Sequence, residues 1–175
     1  MTHWIVTADA DDLRRGRMAG PMFDAPCRLG AGGVVAASEK REGDGASPAG
    51  VWPVRRVFYR PDKVAKPLTQ LEVIPLDPQM GWCDAPDHAH YNKLVRLPFA
   101  ASHEKMWRSD ELYNIVVELG YNDAPAVAGK GSAIFLHVWR SQDTPTRGCV
   151  ATDQRQLLLW LRGAAPGDTL EIRWP

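Results

Sequence analysis

The chain has 175 residues, of which 45% are hydrophobic, and this suits a single domain (1–175) built around one core. Its 21 basic and 21 acidic side chains cancel, so the sequence predicts no charged surface for nucleic acid or for an anionic membrane. The composition therefore favours small or neutral partners.

The N-terminal segment lacks the pattern of an export signal. It carries acids from position nine onward and has no apolar stretch of about 7 to 15 residues, and no later run reaches the roughly 18 apolar residues of a membrane span. Three widely spaced cysteines, Cys27, Cys83 and Cys149, are typical of reduced thiols. The expected location is cytoplasmic, or periplasmic if a leader has been removed.

Residue patterns in the first half of the sequence predict several short strands. A glycine-rich segment at 30–33 lacks both the Walker lysine and the full dinucleotide fingerprint, so it is predicted to be a tight turn. The predicted strands are His3 to Thr7, Val34 to Ala37, Val51 to Tyr59 and Leu71 to Leu76. Short extended runs separated by prolines favour a mostly β fold.

The segment GWCDAPDHAHYN at 81–92 concentrates polar and aromatic side chains in one predicted loop. Four of its residues are candidates for lining a substrate groove, because loops of this kind commonly carry function: Trp82, Asp84, Tyr91 and Asn92. A metal site is the alternative, since His88 and His90 would share one face of an extended chain. No CxxC or HExxH spacing supports it, so no metal is predicted.

Ser102 to Lys105 is a formal S-x-x-K, the nucleophile motif of serine penicillin-recognising enzymes. The companion S-D-N and K-T-G motifs are absent, since Lys130-Gly131-Ser132 has the wrong order. The segment through Trp107 is therefore predicted to be a short surface helix. Further strands are predicted at Ile115 to Val117, from its β-branched residues, and at Thr169 to Ile172.

The stretch SAIFLHVWRSQDTPTRGCVATDQRQLLLWL at 132–161 places a base and a thiol within reach of each other. Ala133 to Leu136 predicts a buried strand that ends on His137. A polar loop over 141–146 then leads to Gly148 and Cys149.

An amphipathic helix is predicted shortly after Cys149. Asp153 can cap its N-terminus, with Gln156 at capping-box spacing, and Gly163 ends it. Orphan N–H groups and the positive end of the helix dipole would favour a thiolate at Cys149, as would His137 nearby. On residue types alone, a buried cysteine beside a glycine is more often core packing than a nucleophile.

With this pattern the chain resembles the YkuD-type L,D-transpeptidase catalytic domain, whose signature is a strand ending in His, a loop, and [S/T]-x-G-C. The matching residues are His137 and Thr146-Arg147-Gly148-Cys149. Upstream, Ser47-Pro48-Ala49-Gly50-Val51-Trp52 is similar to the T-P-x-G-x-[FW] turn and strand of that family. The resemblance covers about residues 27–172.

Three departures from the family pattern bear on the acceptor of the reaction. The loop between His137 and the cysteine motif is shorter than in common members, and Val138 stands where glycine is usual. Val150-Ala151-Thr152 lacks the arginine or asparagine that many secreted transpeptidases place there.

The resemblance implies a mostly β fold, a β-sandwich or barrel-like mixed sheet with one or two short α-helices. Cys149 is expected to attack an amide carbonyl, while His137 takes the thiol proton and then protonates the leaving amine. Backbone N–H groups around Gly148 and Cys149, including that of Arg147, are the expected oxyanion donors. No cofactor is expected.

Three further residues are candidates around this pair. Arg147 can bind a substrate carboxylate bidentately, or it is a solvated loop arginine. The resemblance implies that a backbone carbonyl or a small polar group orients His137, and Ser132 and Thr146 are candidates for that polar group and for contacting substrate.

The substrates that the resemblance implies are peptidoglycan stem peptides or muropeptides, with carbapenem-type β-lactams as covalent inhibitors. Without an export signal, water is the expected acceptor, which predicts an L,D-carboxypeptidase of murein recycling that removes terminal D-alanine from tetrapeptides, after the L-centre of diaminopimelate. One alternative is an L,D-transpeptidase that forms 3-3 cross-links. Another, from a different class, is a non-catalytic muropeptide-binding protein in which Cys149 is a core residue.

Overall fold

The computed structural model describes residues 1–175, which form thirteen strands and one helix. The strands are β1 (His3–Ala8), β2 (Arg15–Gly20), β3 (Phe23–Arg28), β4 (Val34–Ala36), β5 (Ser47–Tyr59), β6 (Glu72–Pro75), β7 (Met80–Cys83), β8 (Leu94–Arg96), β9 (His103–Lys105), β10 (Ile115–Leu119), β11 (Phe135–Val138), β12 (Val150–Thr152) and β13 (Thr169–Arg173). The helix α1 spans Gln154–Gly163. The predicted mostly β fold is confirmed.

One mixed sheet of ten strands closes on itself. Its order is β10-β11-β12-β3-β2-β1-β13-β5-β4, with β6 paired to β5, and β5 also pairs with β10. This additional pairing gives the sheet its barrel-like arrangement. The pairs β1–β13, β11–β12, β4–β5 and β5–β6 run parallel, and the others in this sheet run antiparallel.

The main core packs α1 against this sheet. Trp4 and Val6 of β1 are buried because alternate residues of a strand point to the same face. Leu157, Trp160 and Leu161 form the buried face of α1, and the ring of Trp160 lies 5.3 Å from that of Trp4. The helical spacing of apolar residues in the sequence therefore marks the face that enters the core.

The ends of α1 agree in part with the prediction. Asp153 is the N-cap, and its side chain accepts a hydrogen bond of 2.9 Å from the Arg155 N–H. Gly163 is the last helical residue, and Ala164 follows it in an extended conformation.

A second sheet of three strands, in the order β8-β7-β9, lies beside the first. Residues of both sheets meet in a second core cluster of eight side chains, which includes Trp82 from β7 and Phe135 from β11. Cys149 belongs to this smaller cluster and not to the main core. The smaller cluster therefore supports the part of the molecule that holds the predicted nucleophile.

Two predictions of local structure are wrong. The segment through Trp107 forms β9 and no helix, because His103 and Lys105 pair with β7. The segment at 81–92, predicted to be a loop, begins within the strand β7. The hairpin of β2 and β3 was not predicted, since its charged and glycine residues obscure any apolar alternation.

No helix in the structure has the length and apolar character needed to cross a lipid bilayer.

Candidate active site

Strand register puts His137 and Cys149 on the same face of the barrel sheet. In the parallel pair β11–β12, His137 lies opposite Ala151, and Cys149 precedes Ala151 by two positions. Because side chains alternate across a strand, Leu136 and Val150 point into the main core instead. The imidazole and the thiol therefore lie on the same face of the sheet, the one that the main core leaves free.

Both side chains line one cavity of about 740 Å³. Cys149 is 7% exposed and His137 is 4% exposed, whereas Cys27 and Cys83 have no exposed surface. Neither of those two cysteines lines the cavity. Of the three thiols, that of Cys149 alone is open to a ligand in this cavity.

A backbone carbonyl orients the imidazole of His137. Its Nδ1–H donates a hydrogen bond of 2.8 Å to the carbonyl oxygen of Val138. This places the proton on Nδ1, so Nε2 carries the lone pair that can accept a proton. Burial lowers the pKa of His137 to about 4, so the ring is neutral at pH 7 and can accept a proton.

The thiol of Cys149 is held by two backbone groups. Its Sγ donates to the Ala133 carbonyl oxygen at 3.2 Å and accepts from the Phe135 N–H at 3.4 Å. Burial raises the pKa of Cys149 to about 12, so the resting group is a neutral thiol. The site at rest is a neutral imidazole beside a neutral thiol.

The prediction that a helix start favours a thiolate at Cys149 is wrong. β12 lies between Cys149 and α1. A strand rises about 3.3 Å per residue, so its three residues carry the chain roughly 10 Å away before the helix begins. The dipole of α1 acts only near its own first turn and does not reach the sulfur.

Two hydroxyl groups hold the backbone of Cys149. The Thr146 Oγ1 donates to the Cys149 carbonyl oxygen at 2.6 Å, and the Ser47 Oγ donates to the same oxygen at 3.3 Å. The loop itself is tied to the chain at Leu29, whose carbonyl accepts from the Thr146 N–H at 2.9 Å. The T-x-G-C motif and the upstream serine thus meet at the nucleophile. Apart from the resemblance of both segments to a family pattern, nothing in the sequence indicates this contact.

Gly148 satisfies a backbone requirement beside the nucleophile. Its φ is +125°, a conformation that favours glycine, and a Cβ there would lie 2.8 Å from the Ala46 carbonyl oxygen. The Gly148 N–H donates to the Thr146 Oγ1 at 3.1 Å, so the expectation that it serves as an oxyanion donor needs correction. The N–H of Cys149 makes no hydrogen bond within the chain and remains the available donor.

The profile of the YkuD family, the L,D-transpeptidase catalytic domain, matches residues 3–172. This chain belongs to that family. Members of the YkuD family act on peptidoglycan peptides and are targets of β-lactams.

Two solved L,D-transpeptidases are similar to this YkuD domain. L,D-transpeptidase 1 of Mycobacterium tuberculosis is 9% identical, with a TM-score of 0.41 over 99% of this chain and 63% of that one. An L,D-transpeptidase from Mycobacterium smegmatis is 11% identical, with a TM-score of 0.41 over 98% of this chain and 59% of that one. The present chain thus spans less than two thirds of either structure. Comparison with curated proteins gives no match.

Four of the predicted substrate-contacting residues line the cavity of the YkuD domain: Asp84, Ser132, Thr146 and Arg147. The Arg147 side chain is exposed and forms no ion pair, so its guanidinium is free to meet an anion at the cavity wall. The Asp84 Oδ1 is buried without a hydrogen-bond partner.

Trp82, Tyr91 and Asn92 do not line the cavity, which corrects the expectation for them. They form a supporting layer behind it. The Asn92 Oδ1 accepts from the Trp82 Nε1–H and from the Ala133 N–H, both at 2.9 Å, and so holds the residue whose carbonyl accepts the thiol proton. The Tyr91 hydroxyl donates to Glu42 and accepts from the Gly131 N–H at 3.0 Å.

Of the two kinds of group expected to orient His137, the structure has the backbone carbonyl and neither of the candidate side chains. The Ser132 Oγ donates to Glu42 at 2.8 Å, and the Thr146 hydroxyl is used by Cys149 and Gly148. The orienting group is the carbonyl of Val138, which agrees with the backbone carbonyl that the resemblance implies, although the sequence does not show which carbonyl it is.

The polar segment at 81–92 forms no metal centre. No group of three or more His, Cys, Asp or Glu side chains is placed to hold a metal ion. His88 and His90 instead lie against each other, with ring centroids 5.4 Å apart, and His88 packs on Phe99 at 4.9 Å.

Sequence reasoning missed several residues of the YkuD cavity. Glu104 and Tyr113 line it, and so do Lys40 and Arg108. Glu104 lies within the S-x-x-K match that was set aside, and the others belong to no motif. The position of Glu104 depends on how the second sheet packs against the barrel, which local patterns do not encode.

Proposed function

We propose that this domain is a cysteine L,D-carboxypeptidase that removes the terminal D-alanine from peptidoglycan stem tetrapeptides. The observation that supports it most directly is that the Cys149 thiol and the His137 imidazole line one cavity on the same face of the sheet. Membership of a family that acts on peptidoglycan peptides supports the substrate class.

In the acylation step the Cys149 sulfur attacks the carbonyl carbon before D-alanine. Since both partners are neutral at rest, the thiol proton moves to Nε2 of His137 as the S–C bond forms. The Cys149 N–H donates to the oxyanion. The C–N bond then breaks as the imidazolium returns its proton to the departing amine, which leaves a thioester.

In the second step water attacks the thioester. The neutral His137 takes a proton from the water as the new C–O bond forms, and the C–S bond breaks. The proton returns to sulfur, the tripeptide leaves with a free carboxyl group, and the neutral pair is restored.

The size of the cavity supports water as the acceptor. Its volume of about 740 Å³ lies in the range that holds one ligand of drug size. A cross-linking enzyme must also seat a second stem peptide beside the thioester. Arg147, exposed at this cavity without an ion pair, is suited to the carboxylate of the terminal D-alanine.

The second candidate is a transpeptidase that forms 3-3 cross-links, which membership of the L,D-transpeptidase family favours. Incubation of the protein with stem tetrapeptide, with and without an excess of amine acceptor, separates the two. Tripeptide and free D-alanine are the expected main products in both reactions. A cross-linked dimer as the main product would reverse the assignment.

Matched cysteine variants show whether the reaction belongs to this site. Cys149→Ala is expected to release no D-alanine, whereas Cys27→Ala, which alters a fully buried thiol outside the cavity, retains turnover. Tetrapeptide binding without turnover in the unaltered protein would instead identify a non-catalytic muropeptide-binding protein.

A further inference from the structure

A tyrosine ring lies against the imidazole of His137. The Tyr113 ring meets the His137 ring edge to face, with centroids 5.4 Å apart and planes at 72°. It meets Phe135, which precedes His137 by two positions on the same face of β11, at 6.0 Å and 82°. Tyr113 is 5% exposed and lines the cavity. Its ring therefore limits rotation of the imidazole about the bond that joins it to its Cβ.

The Tyr113 hydroxyl is fixed from the second sheet. It donates a hydrogen bond of 2.7 Å to the Glu104 Oε2, and Glu104 lies in β9. The link connects the wall of the cavity that carries His137 with the three-stranded sheet across it. The hydrogen bond from Nδ1 to the Val138 carbonyl oxygen holds the imidazole as well.

Several charged groups face Glu104 from the surrounding elements. Arg108, from the loop after β9, lies over the Tyr113 ring at 5.1 Å and is itself paired with Asp110. Asp84, after β7, and Arg147, in the cysteine loop, act on the carboxyl group with opposite signs. Burial outweighs the attractive contacts and raises the pKa of Glu104.

We infer that Tyr113 and Glu104 form a positioning pair for the base: the carboxyl group fixes the tyrosine, and the tyrosine ring fixes the plane of the His137 imidazole. This rests on the proposed role of His137. Neither member of the pair exchanges a proton with substrate. Each acts through the orientation of the imidazole, so the pair governs kcat and leaves substrate affinity unchanged.

Conservative variants separate this role from simple packing. Tyr113→Phe keeps the ring and removes the hydroxyl, and Glu104→Ala removes its acceptor. Glu104→Gln keeps an oxygen that accepts the hydroxyl proton while removing the charge. Because misplacement of a reacting group by about 1 Å can cost about 100-fold in rate, a loosened imidazole is expected to lower kcat about tenfold.

The experiment measures kcat and KM for release of D-alanine from the tetrapeptide. Tyr113→Phe and Glu104→Ala are expected to lower kcat about tenfold with KM within about twofold of the parent, and Glu104→Gln to restore kcat to within about threefold of it. The matched control is Tyr121→Phe, which removes the hydroxyl of another buried tyrosine that lies outside the cavity and donates to the Lys130 carbonyl oxygen at 2.5 Å.

Three results would overturn the pair. The first is an unchanged kcat in Tyr113→Phe, and the second is an equal loss of kcat in Glu104→Gln and Glu104→Ala. The third is a loss of kcat/KM that comes from a raised KM while kcat stays unchanged. If the parent protein releases no D-alanine, the proposed function fails and the positioning pair fails with it, whereas the three results above overturn the pair in an active parent protein.

Discussion

The hydroxyl of Thr146 donates its proton to the carbonyl oxygen of Cys149 at 2.6 Å and accepts the N–H of Gly148 at 3.1 Å. One side chain thus closes the turn that carries the proposed nucleophile. All of these atoms are buried, so each group depends on a partner within the protein.

Replacement of Thr146 by valine keeps the shape of the side chain and removes both hydrogen bonds. A buried polar group without a partner costs about 1–3 kcal/mol, so Thr146→Val is expected to lower the free energy of unfolding by that amount and to reduce kcat. Denaturant unfolding and turnover measure the two effects. Thr152→Val is the control, because its buried hydroxyl donates to Pro26 at 2.8 Å outside the cavity. Equal losses of kcat in both variants would contradict a specific role for Thr146.

Gly148→Ala tests the strained turn beside the sulfur. The alanine must adopt a φ of +125°, and its Cβ would lie 2.8 Å from the Ala46 carbonyl oxygen. This oxygen belongs to the backbone and cannot rotate away as a side chain could. A cost of about 1–3 kcal/mol in the free energy of unfolding is expected from the backbone conformation alone. Gly129→Ala is the matched control, since its φ is +73° and a Cβ there meets nothing within 4 Å. If both variants lose the same stability, the close approach to Ala46 is not the cause.

The buried histidine makes stability depend on pH. The pKa of His137 is about 4 in the folded protein, whereas the ordinary value of 6.5 applies to the unfolded chain. The unfolded chain therefore binds the proton more tightly. As the pH falls from 6.5 to 4, the protein is expected to lose about 3 kcal/mol of stability through this group. His137→Gln should lack this component, and denaturant midpoints of the two proteins at pH 7, 5.5 and 4 measure it. If the denaturant midpoints of both proteins fall by the same amount between pH 7 and pH 4, His137 is not buried in its neutral form.

The neutral thiol predicts an unusual reactivity profile. With a pKa of about 12, alkylation of Cys149 by iodoacetamide is expected to rise about tenfold per pH unit from 7 to 10, without a plateau. Quantitative peptide mass spectrometry follows the site, and a short cysteine peptide is the reference. A plateau between pH 6 and 8 would instead indicate a resting thiolate–imidazolium pair.

Much of the site could be predicted because its motif is local. The strand that ends at His137 and the T-x-G-C sequence lie close in the chain, and one parallel strand pair suffices to align them. The strands β1, β5, β10 and β13 were also predictable, since apolar or β-branched residues mark them.

The remaining features depend on contacts between distant segments. Glu104 reaches the cavity only because β9 pairs with β7 across the second sheet, and its polar sequence carries no strand signal. The separation of Cys149 from the helix start follows from β12, a strand of three residues that is too short to show a pattern. The orienting carbonyl of Val138 belongs to the backbone, which the sequence does not distinguish.

The most direct test of the central claim is the intact mass of the protein when turnover of a stem tetrapeptide is stopped with acid. We predict an adduct with the mass of the tripeptide acyl group, which maps to the peptide that contains Cys149 and is absent from Cys149→Ala. Release of D-alanine at the parental rate by Cys149→Ala, with no adduct on the parent protein, would contradict the account.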